Sequence, residues 1–575
     1  MNIFTYFRSS IFSSLEHEYR GVLVCEDVKV EYPKNQEHGD LSTNVAMIIG
    51  KKLNISPKEV ANKILSMIQK DKFIEEVSVA GAGFLNIRLK KDFWSFFLME
   101  LLKLGHHYPE IKIGNGEKVN VEFVSANPTG PLHIGHAKGA VFGDAIANLL
   151  TKCGYNVARE FYVNDAGNQI SILAKSLDIR YKQLLGEDVE LEEGCYPGEY
   201  LIELAKELNT KFGAKLNQLE ANEKEDILKS FATDEMLKII KQDLEELGVH
   251  HDVFTSEKEL IQNNKVANAI DFLQSKNLLY KGTLEKPKGE SADDWEAREQ
   301  LLFKSSAFGD DGDRAVMKSD GTYTYFAPDI AYHLDKFERG YNNMVLLLGA
   351  DHVGYKKRLT SAVKALSDGK AELNVKICQL VKLLRDGVQV KMSKRSGNFI
   401  TMKEVLDEIG KDALRFAILT KSSDTVLDID MEKIKQQTKE NPVFYVQYAS
   451  ARANSIFRKA KEIGLDIENL DINDVDLSLL NTEYDINIIK FLALFPKILE
   501  SCTATLDPHK ITYYLYDLAC TFHQIWSKGT KDEDIKFIVK ENMELTKARI
   551  SLTKALLIVI ESGLGILGIE SMKSM

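Results

Sequence analysis

Paired cysteines are missing from these 575 residues. Cys25, Cys153, Cys195, Cys378, Cys502 and Cys520 lie far apart and no Cys-x-x-Cys occurs. Structural zinc sites usually draw paired ligands at about two-to-four-residue spacing, so no zinc is expected, and the thiols read as reduced in a cytoplasmic protein. Long apolar runs are missing too. The longest, Ala555–Ile560, lies between Lys554 and Glu561. Crossing a bilayer takes about 18 apolar residues, so no membrane span is expected. The first 20 residues hold Arg8, Glu16 and Glu18 but no continuous apolar core, which is not a secretory signal. Nor is there an excess of positive charge, because 74 Lys and Arg against 85 Asp and Glu leave −11. That excludes a wholly basic nucleic-acid coat protein and still allows a local basic groove on an acidic enzyme. Low-complexity tracts and repeats are absent. With 44% apolar and 28% charged residues the chain is an ordinary globular one, long enough for two to four domains.

The chain divides into three parts. Residues 1–112 read as a compact α+β unit. Ser56-Pro57-Lys58-Glu59 combines a capping serine, a proline at the first helical position and a glutamate two residues on, which predicts a helix start. Val77–Leu89 reads as two strands joined by a glycine turn, and Leu104–Gly116 as a linker. Over residues 113–440, strand candidates Val119–Val124, Asn156–Val163, Met344–Gly349 and Val375–Leu384 alternate with helical patterns, which argues for a doubly wound parallel sheet. A charged, mainly helical insertion is expected around 165–320, with Asp234–Leu247 one clear helix. A helix from about Leu132 to Leu150 repeats Gly135, Gly139 and Gly143, a face of bare backbone suited to lie against the sheet. Residues 441–575 read as helical throughout.

Two stretches point to chemistry. Pro131-Leu132-His133-Ile134-Gly135-His136 follows a strand and a loop and opens a helix. A helix start offers unpaired amides and a positive dipole end to phosphate, and two histidines three apart share its first turn. Lys391-Met392-Ser393-Lys394-Arg395-Ser396-Gly397 precedes a second helix start, Thr401-Met402-Lys403-Glu404. Its three cations suit a leaving pyrophosphate. Each stretch alone has a plain structural reading, the first as a capped turn and the second as a solvated loop.

Together, in this order and on this strand pattern, they resemble the HIGH and KMSKS motifs of class I aminoacyl-tRNA synthetases, with Arg395 where many relatives have Ser. The flanks resemble arginyl-tRNA synthetases: Val121–Pro131, His38–Ala46, Val163–Gln169 and Asp412-Ala413-Leu414-Arg415-Phe416, which contains the tetrapeptide naming that family's anticodon-binding domain. Leu567-Gly568-Ile569 also fits, whereas Ser571–Met575 departs from the usual ending.

The resemblance implies a Rossmann-like catalytic domain between an N-terminal tRNA-elbow-binding domain and a C-terminal helical anticodon-binding bundle. It implies a ligase that makes arginyl-adenylate from L-arginine and ATP, with magnesium, and passes the arginyl group to the 3′-terminal ribose of tRNA(Arg), typically through the 2′-hydroxyl. Activation is expected to wait for the tRNA. By the family pattern His133, Gly135, His136, Lys391 and Lys394 hold ATP phosphates, and Gly349, Asp351 and His352 its ribose or adenine side. Glu122 and Asp329 bind the arginine side chain, Asn127 its backbone end, and Tyr325 forms a wall. Guanidinium is a planar, permanently charged fork that pairs best with carboxylates, which would reject lysine without editing. Tyr448 and Arg452 are candidates for tRNA contact. His38 and Asn44 are as readily structural as RNA-facing. A monomer is expected, with no DNA or membrane partner. Other readings are a class I synthetase for a different amino acid, a small nucleotidyltransferase, and a tRNA-binding protein without catalysis.

Overall fold

The computed structural model describes residues 1–33, 35–284, 298–390, 400–436, 438 and 441–575, apart from the side chains of 36 and 214. In the N-terminal unit, β1 (Val30–Glu31), β2 (Leu41–Thr43), β3 (Ile74–Ala80) and β4 (Phe84–Leu89) form an antiparallel sheet in the order β1-β2-β4-β3. The expected hairpin is β3 and β4. The predicted helix runs Pro57–Ile68, but the Ser56 side chain makes no capping bond. Pro57, with its fixed φ, occupies the first position instead. The expected linker is packed rather than loose, since Tyr108 is fully buried and donates to the Leu492 carbonyl at 3.0 Å, across to the C-terminal bundle.

The central sheet is parallel and five-stranded. Its order is β12 (Glu372–Cys378), β11 (Asn343–Gly349), β5 (Lys118–Glu122), β6 (Asn156–Val163) and β7 (Val253–Ser256). Along β11 alternate residues enter two separate cores: Val345 and Leu347 one, Met344 and Leu346 the other. A sheet covered on both faces makes strands this apolar. The insertion is therefore not one helical block over 165–320. Helices Asn168–Leu184, Tyr200–Phe212 and Ala221–Glu246 leave after β6, and the chain returns as β7, whose four half-buried residues are too few to give a strand signal. A second excursion builds an antiparallel sheet from β8 (Leu279–Gly282), β9 (Gln300–Phe303) and β10 (Arg314–Met317). The expected strand Val375–Leu384 also divides. After β12 the chain turns, with Gln379 N–H on the Ser423 carbonyl. It then enters a third sheet as β13 (Val381–Arg385), beside β14 (Val388–Gln389) and β15 (Leu427–Asp430).

The helix after β5 spans Ile134–Lys152. Only one residue of its glycine face meets the β5 exit: a Cβ on Gly143 would lie 2.1 Å from Phe123, whereas one on Gly135 would lie 2.9 Å from the His133 ring and one on Gly139 would meet nothing within 4 Å. Helices Pro442–Glu462, Glu483–Thr505, His509–Gly529 and Met543–Ile566 make the C-terminal bundle. By length and composition the last, taken as Met543–Leu567, would pass for a membrane span, which the six-residue apolar run did not suggest; 72% of its most apolar window is buried in the protein.

Candidate active site

The central strand β5 ends on Glu122, and the chain then takes an unusual path. Val124 (φ 69°) and Ser125 (φ 41°) both adopt the left-handed region, which a β-branched residue rarely enters. That bend turns the Ser125 hydroxyl back to donate to Glu122 Oε1 at 3.1 Å, while Glu122 Oε2 takes Lys336 Nζ at 2.6 Å. Both charges are buried, and the Lys336 ammonium lies 4.1 Å from the Tyr332 ring centre. Below them, buried Glu160 accepts from Asn120, Thr255 and Arg339.

Above this layer is a cavity of about 340 Å³, walled by Glu122, Asn127, Tyr162, Glu257, Tyr325 and Asp329 among others. Burial raises the Asp329 carboxyl to about 8, with Glu122 and Glu257 adding to the rise and Lys336 opposing it. Burial likewise raises Glu257, although a hydrogen bond from Tyr162 pulls it back. His333 is pushed down to about 3 by burial, then by Lys336. It is therefore neutral and donates from Nδ1 to the Asp329 carbonyl at 2.8 Å. The cavity thus sets three carboxyl groups against one internal ammonium; their crowding and burial keep a proton on Asp329, and a cationic ligand would favour its ionised form. Tyr325 stands at its mouth, 71% exposed.

Glu122, Asn127, Tyr325 and Asp329 were singled out in the sequence, and the fold brings all four to this one cavity. His352, expected on the nucleotide side, lines it too. Gly349 ends β11, and Asp351 is exposed on the short turn Ala350–His352. Glu257, Tyr162 and Lys336 were not anticipated. Lys336 had a signal, because Asp329, Tyr332 and Lys336 share one face of the helix Phe326–Glu338 at positions i, i+3 and i+7. Glu257 had none, since it follows the unrecognised strand β7.

Asn127 also lines a second, larger cavity of about 910 Å³ that holds His133 and His136. His133 caps the helix, and its Nδ1 accepts from Gly135 N–H at 3.1 Å. His136 Nδ1 accepts from His133 N–H at 3.2 Å, and the two rings stack with centres 3.9 Å apart. Accepting at Nδ1 leaves the proton of each neutral ring on Nε2. Lys391 and Lys394 lie outside the described residues, but the residues that flank the stretch 391–399 are placed. Val390 N–H donates to the Leu383 carbonyl at 2.9 Å. On the other side Thr401 forms a bridge with His133 and caps the next helix through the expected capping box.

Three family models match this chain. They are the arginyl-tRNA synthetase N-terminal domain over residues 9–89, the catalytic domain of class I (R) tRNA synthetases over 98–457, and the DALR anticodon binding domain over 446–575. Arginine–tRNA ligases of Parvibaculum lavamentivorans and of Wolbachia pipientis wMel are each 46% identical to it, over 582 and 578 aligned residues and the full length of both chains. The chain belongs to the arginyl-tRNA synthetase family. Among solved structures, a putative arginyl-tRNA synthetase of Campylobacter jejuni matches with a TM-score of 0.72 at 33% identity, covering 85% of this chain and 100% of that one. Thermus thermophilus arginyl-tRNA synthetase matches over 100% of both chains, with a TM-score of 0.75 at 20% identity, a likeness of fold.

The DALR unit of this synthetase carries a third cavity, of about 430 Å³, lined by Tyr445, Tyr448, Arg452, His523 and Lys528 among others. The Arg452 guanidinium lies 4.5 Å from the Tyr448 ring centre and 5.0 Å from that of Trp526, and its Nη1 donates to His523 Nδ1 at 2.7 Å. His523 Nε2 donates in turn to the Tyr445 carbonyl, and burial lowers this histidine to about 4, so it is a neutral relay. In the N-terminal unit His38 is exposed and Asn44 heads the helix Val45–Leu53.

Proposed function

We propose that this chain is an arginine–tRNA ligase. It condenses L-arginine with ATP to arginyl-adenylate and pyrophosphate, then transfers the arginyl group to the 3′-terminal ribose of tRNA(Arg), releasing AMP. One observation carries the reading: a narrow cavity lined by Asp329, Glu257 and Glu122 adjoins, at Asn127, the larger cavity beneath His133 and His136. A guanidinium seated among the first group places the amino acid's carboxylate beside Asn127, where an α-phosphate held by the second group would meet it. The carboxylate oxygen attacks the α-phosphorus and the P–O bond to pyrophosphate breaks. No nucleophilic side chain is required; positioning and charge stabilisation suffice.

In this reading His133, Gly135 and His136 hold the triphosphate from the helix start, with Lys391 and Lys394 closing over it. Gly349, Asp351 and His352 flank the nucleoside, and Tyr325 covers the arginine. Magnesium enters with ATP. The phosphate oxygens would supply ligands for it. The protein works as a cytoplasmic monomer.

ATP–pyrophosphate exchange with arginine, with and without total tRNA, tests the function. Exchange that needs both arginine and tRNA is expected, and it should collapse in Glu122→Gln. No exchange with arginine under any condition would remove the assignment. Strong exchange without tRNA would remove only the tRNA requirement.

The third cavity is where a tRNA base would insert, stacked on Tyr448 with Arg452 beside it. Aromatic stacking contributes about 1–3 kcal/mol per base. Tyr448→Ala is accordingly expected to raise the KM for tRNA about tenfold while leaving the KM for arginine unchanged, in steady-state charging. An unchanged tRNA KM would place the base elsewhere.

A further inference from the structure

Only the start of the loop that delivers His133 is held by its own sheet, where the Tyr162 amide of β6 donates to Ser125 Oγ at 3.1 Å. The loop leaves β5 through the left-handed residues Val124 and Ser125, a path a chain keeps only when its surroundings impose it. Backbone contacts to its later half come from outside the five strands. The Tyr200 hydroxyl, on the first residue of the helix Tyr200–Phe212, donates to the Thr129 carbonyl at 2.6 Å. The Tyr200 ring also packs on Gly130, where an added Cβ would lie 3.4 Å from the hydroxyl. Leu132 is fully buried, so its amide needs an acceptor. Asp243 Oδ2, in the last turn of the helix Ala221–Glu246, supplies it at 3.0 Å. The Leu132 carbonyl accepts from Met402 N–H at 2.8 Å.

Asp243 is an odd residue for a merely structural role. It is 5% exposed, and none of the ion pairs found among the described residues includes it. Glu246 and Lys403 are the charged groups that act on it, with opposite effects, and burial raises its carboxyl to about 6 despite the Leu132 amide. A carboxyl placed there at that desolvation cost has one evident task, which is to hold the residue next to His133.

We infer that Asp243 and Tyr200 are positioning residues for ATP: the helical insertion clamps the loop between β5 and the signature helix, Ile134–Lys152, and so sets where His133 and His136 meet the triphosphate. This rests on the reading that the two histidines bind ATP. None of the clamped residues Thr129–Leu132 lines the arginine cavity, which the loop meets only earlier, at Ser125 and Asn127, so the clamp acts chiefly on the histidine end.

Steady-state arginine charging of tRNA by the full chain tests this, with the KM values for ATP and arginine measured separately. Asp243→Leu leaves the Leu132 amide without an acceptor and is expected to raise the KM for ATP about tenfold or more, with the KM for arginine within about twofold. Asp243→Asn keeps an acceptor oxygen and should stay within about threefold of wild type for ATP. Tyr200→Phe removes one hydroxyl and should raise the KM for ATP about fivefold. The clamp is wrong if Asp243→Leu leaves the ATP KM unchanged, if both KM values rise together, or if Asp243→Asn is as impaired as Asp243→Leu. Should Asp243→Leu fail to fold, Tyr200→Phe decides, and an unchanged ATP KM there overturns the inference. A wild-type chain that does not charge tRNA with arginine would count against the functional reading, whereas failure of the clamp shows only against an active wild type.

Discussion

Asp329→Asn is expected to raise the KM for arginine by on the order of 10²–10³-fold while making the empty protein no less stable. The loss follows from removing one partner of a desolvated charge pair, at about 3–5 kcal/mol, and the asparagine amide would also turn N–H groups toward a guanidinium that only donates. The stability effect has the opposite sign. Asp329 is held up to about 8 in the folded chain against an ordinary 3.8, so the unfolded chain ionises it first. Asp329 therefore costs stability progressively as pH rises from about 4, and the cost is complete above about 8. At pH 8 the variant's melting temperature should match or exceed wild type. A general folding defect would lower both activity and melting temperature, and that result would sink the assignment.

The same raised carboxyl fixes a pH dependence. Below about pH 8 the empty site holds a proton that arginine must displace, so the wild-type KM for arginine should fall by up to about tenfold per pH unit from pH 6 upward and level off above 8. Glu257, also raised by burial, acts in the same direction. In Asp329→Asn the slope should flatten. A wild-type KM independent of pH over this range would mean that Asp329 is already ionised before substrate arrives.

Arg415→Met is expected to lower the apparent melting temperature by roughly 5–10 °C, from a loss of about 3–5 kcal/mol. The Arg415 side chain is fully buried and ties three separate segments to its own helix. It donates to the Leu567 carbonyl at 2.8 Å, the Leu247 carbonyl at 3.1 Å, the Gly248 carbonyl at 3.4 Å and Asp144 Oδ2 at 2.5 Å. Those partners lie at the end of the bundle's last helix, just past the insertion helix Ala221–Glu246, and on the signature helix. Gly568 is part of the same joint: its φ is +68°, and a Cβ there would sit 2.1 Å from the guanidinium. Arg415→Lys keeps the charge but not the fork, and should recover less than half of the loss. Removing both charges, in Arg415→Met with Asp144→Leu, should be milder than Arg415→Met alone, because no buried carboxylate is then left with only Arg159 at 3.7 Å and the Asn148 amide to pair it. Thermal scans of the four proteins check the series. An unchanged midpoint in Arg415→Met would show that the joint carries little.

Legibility in the sequence followed contiguity. Residues 121–136 act as one unbroken stretch, so Glu122, Asn127, His133 and His136 were recognisable together, as were the parallel strands with strong apolar runs. The strands that went unseen or ran together have physical reasons. β7 is a short edge strand, and β12 and β13 follow each other across two sheets with only Gln379 and Leu380 between them. An apolar run reports burial and not which sheet is being joined.

The sequence by itself determined the candidate motifs, the order of the three parts and the expectation of carboxylates against a guanidinium, because these are properties of residue type and local spacing. Only the tertiary structure decided which charges meet. Glu257 comes from beyond β7, Lys336 from a helix more than two hundred residues after Glu122, and Asp243 and Tyr200 from an insertion whose helices carry no catalytic motif. Whether a carboxylate is free for substrate or already neutralised depends on the neighbour's position to within an ångström or two and on the exclusion of water. Both are set by packing between elements far apart in the chain.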